Sequence, residues 1–140
     1  MPSGKTHDIT TLILTPIIGI GTYYICADII NSIIITLSFL FSGLMFNGDL
    51  DTTSKPFYRW KIFRMIWIPY QDMFSHRSIW THGFFIGTIV RIIYLSPILG
   101  VPLYFLNINP FSDIYISYTI SVLLGLELGS MSHSILDYLF

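Results

Sequence analysis

Residues 9–27 form a run of nineteen positions with neither an acid nor a base, and this run restricts the fold more than any other feature. A helix of ~20 apolar residues matches the hydrocarbon thickness of a bilayer and satisfies its own backbone polar groups there. Residues 29–46 repeat the pattern after a polar turn at Asp28 and Asn31. Residues 79–106 are apolar apart from His82 and Arg91, and Pro97 and Pro102 predict a kinked or frayed far end. A second polar turn at 107–113 leads to a last apolar run, about 114–136, which carries Glu127. The expected fold is all-α: one polytopic membrane domain over 1–140, with four transmembrane helices at about 9–27, 29–46, 79–106 and 114–136. A cleaved leader is the alternative for the first run, but the run is long and its flank is barely basic.

Composition supports the membrane class. Of 140 residues 53% are hydrophobic and 11% charged, and mean hydropathy is +0.67. Soluble domains carry roughly a quarter charged residues. Cys26 is the single cysteine, which excludes an intrachain disulfide and a cysteine zinc cluster.

Residues 55–74 behave differently. Phe57, Tyr58, Trp60, Phe63, Trp67 and Tyr70 interleave with Lys55, Arg59, Lys61 and Arg64. That mixture predicts an interfacial amphipathic segment, rings at the membrane surface and cations on anionic headgroups near 55–64. Each such cation contributes on the order of 1 kcal/mol. Rings with cations also suit single-stranded nucleic acid. In a chain this apolar, with a net charge of −1, membrane lipid is the expected partner and nucleic acid is not.

Lys5, Lys55, Arg59, Lys61, Arg64 and Arg77, six of the seven Lys and Arg residues, fall on the side holding the N-terminus and the central segment. The positive-inside rule places that side, with both termini, in the cytoplasm of a multi-pass cell-membrane protein. Four crossings also bring distant polar residues to one side. His7 and Asp8 precede the first run; Asp49 and Asp51 follow the second. His76 and His82 open the third, and His133 and Asp137 end the fourth.

The spacings permit a site. His133 and Asp137 are i and i+4, so they share a helix face, and Gly129, Gly125 and Ser121 continue it as a small-residue stripe that admits another helix. Gly83, Gly87 and Arg91 make a similar row on the third run. Asp49 and Asp51 are about 200° apart on a helix, so they converge only if the chain has left helical geometry, which Asn47-Gly48 allows. His76 and His82 likewise need a break between them. Mixed imidazole and carboxylate donors suit a divalent metal, zinc first, manganese or iron as alternatives, as one ion or two.

Each residue also has a plainer reading: any one histidine as a packing residue, Thr6 or Asp8 as a helix cap, Asp51 as a solvated loop residue, Asp72 as a surface charge. Asp51, Arg77 and Glu127 are the candidates for catalytic roles, with Arg77 placed to hold an anionic substrate oxygen. Arg91 and Glu127 sit roughly 10–15 Å deep at 1.5 Å per residue and are expected to pair. A buried ion pair and a chemical role for Glu127 remain the two readings of that position.

Pro2-Ser3-Gly4-Lys5-Thr6-His7-Asp8, Gly43-Leu44-Met45-Phe46 running into Asp49-Leu50-Asp51, Trp60, Trp67-Ile68-Pro69-Tyr70, His76-Arg77-Ser78 and Thr81-His82-Gly83 together resemble a bacterial family described only as metal-binding membrane proteins. More distantly the chain is similar to membrane-bound metal-dependent hydrolases, with a comparable early His, Asp-x-Asp, His-Arg then Thr-His, and late His-x-x-x-Asp. The resemblance implies metal ligands among His7, Asp49, Asp51, His76, His82, His133 and Asp137. It points to hydrolysis of an ester or phosphoester at the cytoplasmic face. A non-enzymatic metal-binding protein, a sensor or complex subunit, is the alternative. A metal transporter is weaker, because transport sites lie near the midplane. Small-residue faces leave a homo-oligomer open.

Overall fold

The computed structural model describes residues 3–140, so Pro2 of the opening motif lies outside them. Helix α1 (Gly4–Cys26) is capped by Ser3, whose hydroxyl accepts from the Thr6 N–H at 3.3 Å. Neither Thr6 nor Asp8 is the cap, because the helix starts before the charge-free run. Asp8 is thereby free to take both Arg59 amino groups at 2.9 and 2.7 Å. The chain turns at Ala27, in the left-handed region at φ 50°, and Asp28 caps α2 (Ile29–Met45) by accepting from the N–H groups of Ile30 and Asn31.

Helix α7 (Ile116–Leu139) packs chiefly along α2. The stripe expected from sequence makes this possible: a Cβ at Gly129 would lie 2.5 Å from the Phe39 carbonyl oxygen and 2.7 Å from Ser42 Cβ. Ser42 donates to the Leu126 carbonyl at 2.6 Å, and the Asn31 amide oxygen accepts from Ser121 at 2.8 Å near the other end. Between apolar helices in lipid, close backbone approach and such hydrogen bonds supply the attraction that water would otherwise drive. Gly129→Val should therefore lower unfolding stability in detergent by roughly 1–3 kcal/mol. Gly100→Val, where nothing lies within 4 Å, is the control. Equal melting of the two variants would refute the close-packing account.

The central segment is amphipathic but comes in three pieces: α3 (Lys55–Arg59), a 3-10 stretch (Lys61–Ile66) and α4 (Trp67–Met73). Lys61, at φ 49°, divides it. Phe57, Trp67 and Tyr70 turn inward with Phe46, Leu50 and Leu95 to form the buried core, while Tyr58, Ile62, Phe63 and Met65 face out. Burial holds the Tyr70 phenol above its usual pKa range.

The third apolar run is not one helix. After α5 (Ile79–His82) the chain bends through 83–85, with Phe85 at φ 60°, before α6 (Ile86–Phe105). A Cβ on Gly87 would meet the Thr81 carbonyl oxygen at 2.6 Å, so this fold-back requires glycine there. Glu127 accepts the Phe85 N–H at 2.8 Å and so secures the bend.

The expected Arg91–Glu127 pair does not form. Fully buried Arg91 donates to the Thr81 carbonyl at 2.8 Å and to the hydroxyls of Thr88 and Ser130 at 3.2 and 2.6 Å, and it lies 5.3 Å from the Phe46 ring centre. Neutral oxygens thus engage both terminal amino groups of the guanidinium, leaving Nε buried without a partner, while one oxygen of the Glu127 carboxylate takes a backbone N–H. The described residues form helices and turns with no strand, and four helical stretches, α1, Ile29–Asp51, α6 and α7, are each long and apolar enough to cross a membrane. Their outer residues, such as Leu12, Ile17, Ile20 and Ile93, are exposed, more apolar surface than water-soluble monomers present.

Candidate metal centre

At the end of α2 the Asn47 side chain donates to the Gly43 carbonyl at 2.9 Å and accepts from the Asp49 N–H at 3.2 Å. This closes a 3-10 turn, Gly48–Asp51, which supplies the departure from helical geometry that the two aspartates need. Gly48 is required where it stands, since a Cβ there would fall 2.7 Å from Cδ2 of His82. Asp49 then faces α7 and α5, and Asp51 faces the loop before α5.

Asp49, His82, His133 and Asp137 converge, each offering a donor atom within 4.8 Å of the other three. His133 Nε2 lies 3.4 Å from Asp49 Oδ1 and 3.3 Å from Asp137 Oδ2. His82 Nε2 lies 3.6 and 3.9 Å from the same two oxygens. Four donors about 2.0–2.1 Å from one ion at tetrahedral corners stand about 3.3 Å apart, so these spacings need only small adjustment. The electrostatics agree. Nε2 of both histidines and both oxygens of Asp137 are buried without a hydrogen-bond partner. Buried polar atoms are costly unless satisfied, and one cation among the four satisfies them together.

The remaining expected residues surround this quartet without joining it. His7 Nε2 approaches Asp137 Oδ1 at 3.3 Å, and its ring lies tilted by 31° against that of His133 with centres 4.1 Å apart. His7 thus stands at ion-pair distance from the Asp137 oxygen that faces away from the quartet, without closing a hydrogen bond to it. Asp51 takes His76 Nδ1 at 2.8 Å on Oδ1 and the Arg77 N–H at 3.1 Å on Oδ2. That second oxygen is also 3.5 Å from His82 Nδ1. His76 and Asp51 therefore form a supporting pair behind His82. The loop between the two histidines turns at Arg77, φ 61°, and so directs their rings differently.

Arg77 reaches Asp137 Oδ1 at 3.5 Å through Nη2 and sits at the rim. Glu127 accepts the Phe85 N–H through Oε1, keeps a buried Oε2 without a hydrogen-bond partner, and is not among the four residues of the quartet. Asp72 is exposed. Sequence reasoning passed over Thr81, whose buried hydroxyl lies 3.0 Å from His82 Nδ1. Its position beside His82 was the available signal, since ligating histidines commonly engage their second nitrogen.

The family model described as "Uncharacterized metal-binding protein" matches residues 2–140. An "Uncharacterized protein" of Aquifex aeolicus (strain VF5) is 38% identical over 60 residues, 42% of this chain and 42% of that protein. The match thus spans less than half of that relative's length. No solved structure matches the chain.

Proposed function

The chain belongs to the family of uncharacterized metal-binding proteins, and from that premise we propose a membrane-embedded metal-dependent hydrolase acting on an ester or phosphoester. The observation that carries the reading is the quartet Asp49, His82, His133 and Asp137, with orphaned donors and an open cavity reaching His82 and Asp137. Zinc suits two imidazoles and two carboxylates at this spacing; manganese and iron accept the same donors. The four residues account for one ion, and no second group of this kind occurs among the described residues.

A bound divalent ion supplies a Lewis acid and acidifies water, which is what hydrolysis at neutral pH requires. The chain's own residues do the remaining work. His7 fixes Asp137, while Thr81 and Asp51 fix the ring of His82 through its Nδ1. Arg77, at the rim, holds an anionic oxygen of the substrate.

The quartet lies where α1 begins and α2 and α7 end, the same end as six of the seven cations. We place that end in the cytoplasm. Exposed Lys61 meets anionic headgroups there, whereas Asp8 draws the charges of Arg59 at 2.7 Å and Lys55 at 3.7 Å.

One observation favours a second reading. Four protein donors complete a tetrahedron, the closed arrangement of structural metal sites, and such a centre belongs to a non-enzymatic sensor or subunit. Turnover separates the two. Zinc-loaded protein should cleave members of a panel of phosphomonoesters, phosphodiesters and carboxyesters, with activity lost in Asp49→Asn. Stoichiometric metal with no turnover on any of them selects the second reading.

A further inference from the structure

Beside the quartet lies a cavity of about 530 Å³ between the loop after α5 and the last turns of α7. That volume falls within the range of about 300–1,000 Å³ typical of small-molecule sites. One end is polar: Arg77, His82 and Asp137. The walls are Phe84, Ile135, Tyr138 and Leu139, apolar and exposed. The two ends call for different chemistry in one ligand.

Arg77 is the cation of this cavity: its Nη2 stands 3.5 Å from Asp137 Oδ1, a contact made by an exposed side chain that a stronger anion can share, and its backbone N–H donates to Asp51 in a left-handed conformation that arginine seldom adopts. Its planar fork matches phosphate or carboxylate oxygens. A small soluble anion would use that end alone and leave the apolar walls wet. We propose that the cavity takes an amphiphile with a phosphate-like headgroup and one aliphatic chain, the headgroup on Arg77 beside the metal donors and the chain along Phe84, Ile135 and Tyr138. This rests on the hydrolytic reading and names its substrate class: a lipid phosphoester that enters from the membrane side.

The test uses full-length zinc-loaded protein in phosphatidylcholine nanodiscs and a dodecylphosphonate carrying a diazirine near the chain end. Its C–P bond is not an ester, so photolabelling reads binding and not turnover. Labels should fall on Phe84, Ile135 and Tyr138. Labelling should drop about tenfold in Arg77→Gln, and equally for a probe with a trimethylammonium headgroup, since a charge-assisted contact is lost. Excess methylphosphonate should compete only weakly, because it lacks the chain.

Labels spread over outward residues such as Ile17 and Ile93 would overturn the proposal. Equal labelling by the two headgroups would do so too, as would full competition by methylphosphonate. Labelling at the cavity without turnover on any ester removes the hydrolytic reading and keeps the binding site. Turnover without labelling does the reverse.

Discussion

Detergent-purified protein should carry close to one equivalent of divalent metal, and His133→Ala and His82→Ala almost none, while His76→Ala should keep the full equivalent. Elemental analysis of the folded variants, with helicity checked by circular dichroism, measures this. The contrast follows from geometry. His133 and His82 present orphaned Nε2 atoms to the shared centre, whereas His76 is committed to Asp51 at 2.8 Å. His7→Ala should retain metal with affinity lowered roughly 10–100-fold, the usual cost of losing a group that orients a ligand. Full loss in His76→Ala together with retention in His133→Ala would show that the ion sits elsewhere.

The second large effect is on stability. An ion bound only by the folded state stabilises it by RT ln(1 + [L]/Kd), about 4 kcal/mol at a thousandfold excess over Kd. For a chain of this size, stripping the metal should lower Tm by on the order of 10 °C, and restored zinc should recover it. Asp49→Asn should melt near the stripped wild type and show little response to zinc. A wild-type Tm indifferent to both chelator and zinc would mean that no ion joins these elements.

The reason for so large an effect is topological. The donors come from the turn after α2, from α5 and from α7, so one ion ties three separate parts of the chain. Its loss leaves orphaned buried atoms on two of those three parts, at His82, His133 and Asp137.

Much of this was legible before any coordinates. Charge-free runs imply long apolar helices, an even number of them running back and forth returns the termini to one end, and His7 and Asp137 meet there 3.3 Å apart in the structure. On α7 a regular helix carries sequence spacing directly into space, so the Gly125 and Gly129 stripe could be read from period alone. Where the chain leaves the helix, spacing loses that power. The division of labour between Asp49 and Asp51, or between His82 and His76, depends on the 3-10 turn and on the loop turned at Arg77.

Arg91 shows the other limit. Equal depth on two helices matched it to Glu127, but depth leaves rotation open, and Arg91 points to Ser130, nearly one turn further along α7. The break at 83–85 was hidden for a similar reason. It lies inside an unbroken apolar stretch, and what secures it is a carboxylate 42 residues away.

The buried residues of α6 are Gly87, Thr88, Arg91 and Leu95, all in its first half. From Ser96 onward the helix has no buried position. It is therefore a cantilever, clamped beside the loop that presents His82 and free along its outer length. A load on that outer arm would pivot near Leu95, away from the histidine at the clamped root.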